Sequence, residues 1–207
     1  MTRADSLSSD LAYLRDLAEA GENAPLLGGP FLAMWGGLVS LAYAAHFAVS
    51  QGLFGLEPSA YWVVWAIFGV VGGIGQFLLV KGQREKPGRA SAGNRVQAML
   101  WMTAGLFMFV YFAGLIARLA MTGDGIEGFY WSVPMVLGIY GIGQFVTGAI
   151  SGQTALKFAG IAAFAGVLAA VFLTGTEYIW LVGSASAFAA VCVPGLMMMR
   201  AEPAETV

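Results

Sequence analysis

Residues 58–80 read Pro-Ser-Ala-Tyr-Trp-Val-Val-Trp-Ala-Ile-Phe-Gly-Val-Val-Gly-Gly-Ile-Gly-Gln-Phe-Leu-Leu-Val, with Glu57 before, Lys81 after and no charge between. A helix of about 20 mostly apolar residues crosses a hydrocarbon core of about 30 Å. Outward from this stretch the pattern repeats: residues 23–56, 96–117, 128–156, 158–176 and 178–199 are also free of charge. The 10 basic and 12 acidic residues all lie in the joints. Lipid offers no water to satisfy backbone groups, so such runs must bond within themselves and become helices. The sequence predicts an all-α membrane protein with six transmembrane helices, near 30–50, 60–80, 96–118, 129–150, 157–175 and 178–199.

An apolar fraction of 58% exceeds the usual share of about 45–50%. One membrane domain, 30–200, accounts for the chain, between a cytoplasmic segment 1–29 and a tail 201–207. The net charge of −2 says little, but its distribution says more. Arg3, Arg15, Lys81, Arg84, Lys86, Arg89, Arg95, Lys157 and Arg200 fall on one side of the predicted bundle, and only Arg118 falls on the other. Positive loops stay cytoplasmic, so both termini are expected inside a plasma (inner) membrane. Residues 1–22 carry five acids and no apolar core, which does not fit a cleavable signal. Cys192 is alone, so neither an internal disulfide nor a cysteine metal cluster is expected.

Residues 9–20 fit a short amphipathic helix, capped by Ser8 or Ser9 and ended by Gly21, with Leu7, Leu11, Leu14 and Ala18 on one face. Its polar face is acidic, unlike that of a membrane-surface helix. It therefore packs under the bundle or against a cytoplasmic protein partner.

An internal repeat follows. Gly73-Ile74-Gly75-Gln76-Phe77 recurs as Gly141-Ile142-Gly143-Gln144-Phe145. Tyr61-Trp62 and Tyr130-Trp131 open the two helices concerned, as Tyr178 and Trp180 open the sixth; Trp35 and Trp101 correspond loosely in the helices before. The reading is three hairpins with a parallel repeat. The aromatic openings suit the membrane–water boundary.

Gln76 and Gln144 are the main candidate site residues. Each lies about 8 Å from its helix centre toward the cytoplasm. An amide unpaired in hydrocarbon is costly, so each must bond a neighbouring helix or line a path for water or solute. Gly69 and Gly73 form a small-xxx-small face for close packing. His46, the single histidine, cannot build a metal or paired haem site in one chain. An ionisable group within the membrane raises a gating or relay role; near the interface it can simply bond water or Ser50. Ser40, Thr103, Ser132, Thr147, Ser184 and Ser186 are single hydroxyls, expected to bond back to their own helices, and Pro134 and Pro194 to bend theirs. No carboxylate lies in a span and no catalytic set, metal motif or phosphate loop is present. No enzyme activity, cofactor or nucleic-acid partner is expected.

Two elements resemble the acetate uptake transporter family of small six-helix membrane proteins. Asn23-Ala24-Pro25-Leu26 is similar to that family's Asn-Pro-Ala-Pro-Leu-Gly motif before the first helix, and Gly72-Gly73-Ile74-Gly75-Gln76 to its Gly-Gly-Ile-Ala-Gln element. The layout agrees over about residues 23–200. This chain departs in having Ala24 directly before its one proline there, Gly28 in place of the adjoining glycine, and a longer acidic N-terminal helix. The resemblance implies a hexamer, each protomer with a narrow path for a small monocarboxylate, and roles for Asn23 and Gln76. The expectation is a membrane channel or facilitator for a small solute, acting as a homo-oligomer, with Gln76→Leu more harmful than Gln144→Leu. The alternative is a non-transporting scaffold or sensor that binds its partner through helix 9–20.

Overall fold

A computed structural model describes residues 10–15, 25–84, 86, 88–123 and 126–201. Six helices in it are long and apolar enough to cross a membrane, the make-up of a multi-pass membrane protein. They are α1 (Gly29–Ser50), α2 (Ala60–Gln83), α3 (Ala92–Thr122), α4 (Ile126–Ile150), α5 (Thr154–Phe172), and a sixth span made of α6 (Tyr178–Ala187), a π-helical turn (Phe188–Cys192) and α7 (Val193–Ala201). No strand occurs among the described residues. Residues 10–15 are helical and exposed; the rest of the segment expected to form helix 9–20 lies outside the described residues.

The helix limits differ from the expected ones where local chemistry intervenes. α3 starts at Ala92, four residues early, because Ser91 caps it by accepting from the backbone N–H of Asn94 at 3.3 Å. It runs on to Gly123, whose φ of +71° suits glycine and ends the helix. At 31 residues and about 1.5 Å each it is longer than the membrane requires. The joint between α4 and α5 turns at Gly152, φ +69°, so α5 begins at Thr154 rather than 157.

The π-helical turn has a covalent cause. In an α-helix the carbonyl of Ala190 would accept from the N–H of residue 194, which is a proline and has none. The chain widens there instead, and the Val193 N–H reaches the carbonyl of Phe188.

α1, α4, α5 and the sixth span form the centre. Leu32, Tyr43, Val133, Leu137, Ile179 and Ala187 pack there with little or no exposure. Glycine sets the closeness of the packing. A Cβ on Gly36 would strike the backbone of Cys192, one on Gly195 the backbone of Ala33, and one on Gly160 the Gly141 carbonyl. By backbone approach between helices, α2 meets only α1, and α3 only α4. On α2 only Gly72 is buried, and on α3 only Asn94 and Gln97. The expected close-packing face Gly69-x-x-x-Gly73 points away from the rest of the chain, with nothing within 4 Å of either glycine; Gly72 and Gly75 make the approach instead, against Trp35 and Met34.

Candidate functional site

Polar side chains gather at three levels of this apolar bundle. At the end away from the termini, His46 of α1 stacks on Trp180 with ring centroids 3.8 Å apart and on Tyr61 at 4.4 Å. The Trp65 indole N–H donates to His46 Nδ1 at 3.2 Å, which leaves the ring proton to Nε2 in the neutral imidazole. Glu177, just before α6, accepts from the Tyr130 hydroxyl at 2.5 Å and from the Trp180 indole at 3.0 Å. Trp62 and Trp131 stay exposed, as boundary aromatics do, whereas Trp180 is buried. Of the three aromatic openings only this one turns its tryptophan inward, and the carboxylate of Glu177 is what receives it.

The glutamines occupy the half nearer the termini. Gln76 Oε1 accepts from the Trp35 indole at 2.9 Å, joining α2 to α1. Gln144 is fully buried and its Nε2 donates to the Ala190 carbonyl at 2.9 Å. That is the carbonyl deprived of its helical donor by Pro194. The two amides hold different partners, on helices whose backbones nowhere approach within 8 Å. Ser132 bonds back to its own helix as expected, but Ser40 and Ser184 bond each other across α1 and α6 at 3.2 Å.

Four buried polar atoms on α3 and α4 have no hydrogen-bond partner among the described residues: Gln97 Nε2, Trp101 Nε1, Gln144 Oε1 and Thr147 Oγ1. They fall at matching levels of an antiparallel pair. The Trp101 ring lies against Gly143; one turn toward the termini, Gln97 and Thr147 each stand four residues from that contact. Gln97 also closes over Gly28 at the start of α1.

The third level ties down the segment before α1. Asn94 Oδ1 accepts from the Leu27 N–H at 2.8 Å, while its Nδ2 donates to the carbonyls of Pro25 at 2.9 Å and Gly88 at 3.0 Å. Gln83 Nε2 donates to the Leu27 carbonyl. Asn23 lies outside the described residues.

Sequence reasoning passed over Glu177, Asn94, Gln97 and Trp101 as functional groups. Glu177 reads as an ordinary loop acid. Asn94 stands before the expected start of its helix, and Gln97 is a single amide without a repeat partner. The correspondence between Trp35 and Trp101 was the one available signal, and it does not show that one indole is bonded and the other is not.

The fold and these sites define an α-helical membrane protein with polar but no charged side chains among its buried described residues. Compared with protein-family models, curated proteins and solved structures, the chain gives no match.

Proposed function

We propose that the chain is a channel or facilitator for a small solute, with a small monocarboxylic acid as the class that fits. The observation that supports this is the set of unmatched polar atoms on α3 and α4. Each such group buried in an apolar interior costs about 1–3 kcal/mol, so a water or a solute that satisfies it is favoured. Gln97 and Trp101 offer donors, Gln144 an acceptor, and Thr147 a hydroxyl that does both. A protonated carboxyl has the complementary pattern: its carbonyl accepts and its hydroxyl donates. Arg95 stands at the near end of α3, and residues 96–117 and 128–156 beyond it carry no charge, so a carboxylate would shed its own to pass between these helices. Bore width and a few hydrogen bonds then select the solute. Of the two glutamines, Gln144 lines this path and Gln76 braces α2 on α1.

The resemblance to the acetate uptake transporter family fits the solute class, although it implies for Gln76 the role that this reading gives to Gln144; a homo-oligomer of three-hairpin protomers, both termini cytoplasmic, completes the proposal. A cysteine at Ser59 should react with an impermeant reagent from outside the cell, and one at Ser91 should not; the reverse result overturns the orientation.

Liposomes holding the purified chain alone test transport. Formate, acetate and lactate should enter faster than into protein-free vesicles, with the advantage falling as the solute grows. Thr147→Val keeps shape while removing the hydroxyl and should cut that advantage. Entry no faster than into empty vesicles sinks the proposal. One observation favours the scaffold reading: Leu11 and Leu14, three residues apart on one helix face, are each more than half exposed among the described residues. Inactive liposomes together with a partner lost on Leu11→Asp would establish it.

A further inference from the structure

α2 and α3 are consecutive in sequence yet stand apart. Each packs on a different central helix, and their backbones nowhere come within 8 Å. Their side chains meet where Trp65 and Phe112 stack with centroids 6.4 Å apart, toward the end away from the termini. From there toward the connection no backbone contact joins them, and the lateral slot between them closes where Leu27 accepts from Gln83 of α2 and donates to Asn94 of α3. From Trp65 to Lys81 is 16 residues (81 − 65), about 24 Å at about 1.5 Å each. Residues 58–80 and 96–117 carry no charge, and their exposed side chains include Val70, Phe77, Met102 and Phe109.

Beyond that bridge lies a basic cavity, wide open on its outer side. Arg84, Lys86, Gly88, Arg89, Ala90 and Arg95 line a space of about 470 Å³ in the connection. α3 begins at its edge, with Ser91 as cap, so the positive end of a long helix dipole adds to the cations. The one acid in this stretch of sequence, Glu85, lies outside the described residues.

We propose that an anionic phospholipid binds here, its phosphate in the cavity and an acyl chain along the slot between α2 and α3. Half of a hydrocarbon core is about 15 Å deep, so a slot of this length accepts a chain from one leaflet. Basic pockets at the membrane surface suit such headgroups. A second copy of the chain in the same orientation would bring its own basic connection to the same height and repel this one unless an anion lay between. A free anion would fill the cavity and leave the slot bare. The lipid satisfies both parts, and the proposal stands independently of transport.

Native mass spectrometry of the purified full chain tests it, with phosphatidylglycerol, phosphatidylcholine of the same chains, glycerophosphoglycerol and inorganic phosphate as probes. Phosphatidylglycerol should bind about tenfold or more tighter than phosphatidylcholine, and neither soluble phosphate should displace it at equal concentration. Arg84→Gln with Arg89→Gln and Arg95→Gln should bring the two lipids to parity, while Arg118→Gln at the other end of α3 should not. Equal binding of both lipids by the unaltered chain overturns the proposal, as does displacement by phosphate or the headgroup alone. The probe series on the unaltered chain decides the matter even if the triple variant fails to fold.

Discussion

Gly73–Phe77 and Gly141–Phe145 are the same five residues in the same order, and the bundle uses them differently. The first copy sits on α2, at the edge: Gly73 touches nothing, Phe77 is 69% exposed, and Gln76 takes a hydrogen bond from Trp35. The second sits on α4, at the centre: Gly141 meets Phe164, Gly143 meets Trp101, and Gln144 is sealed against the Ala190 carbonyl. The tryptophans diverge with them. The Trp35 indole is bonded, and the Trp101 indole is buried without a partner. A motif in a membrane helix therefore has no fixed role; the helices around it assign one.

The largest expected difference lies between the glutamines. Gln144→Leu removes the donor to a carbonyl that Pro194 has already deprived of its own, and should cost about 1–3 kcal/mol in reversible unfolding from mixed micelles. It should also suppress solute entry. Gln76→Leu leaves a half-buried indole on the flank of the bundle and should cost about 0.6 kcal/mol, with entry retained. This reverses the order expected from sequence. Equal losses of stability and flux would show that the two copies are used alike.

A smaller contrast separates the tryptophans. Trp35→Phe breaks a bond that is made and should destabilise by about 1 kcal/mol. Trp101→Phe removes a donor that is already unmatched, so its effect on unfolding comes only from the smaller ring, while flux should fall because the path loses a donor. Unaltered flux in a folded Trp101→Phe protein would remove Trp101 from the path and leave it as filling against Gly143.

The smallest effect is expected at the glycines of the first copy. Gly73→Ala adds a methyl to open space within a helix and should be neutral or stabilising by up to about 1 kcal/mol. A clear loss of stability there, in a purified oligomer, would mean that the outer face of α2 is covered by another copy of the chain.

The glutamines show how much of the site was legible. That each amide must find a partner followed from its residue type and depth. Which partner it found depended on Pro194 and Trp35, 50 and 41 residues away along the chain. The unmatched set on α3 and α4 was not legible at all, because the burial of Gln97, Trp101, Gln144 and Thr147 depends on the register of two antiparallel helices. Asn94 shows the same limit at a helix end: a cap formed by Ser91 drew it into α3 and gave it the segment before α1 to hold.

By itself the sequence determined the six spans, each of their limits to within four residues, and the polar groups that would need partners. Charge-free runs in lipid leave the backbone one way to satisfy its hydrogen bonds, so no tertiary information was required. Which spans are central and which peripheral was decided only by the tertiary structure. Lipid tails are as apolar as a protein core, so an outward face and an inward face use the same residues, and periodicity carries no mark of burial. α2 and α4 share a motif and are both apolar throughout; close contacts at Gly36, Gly160 and Gly195 put α4 in the middle and left α2 at the edge.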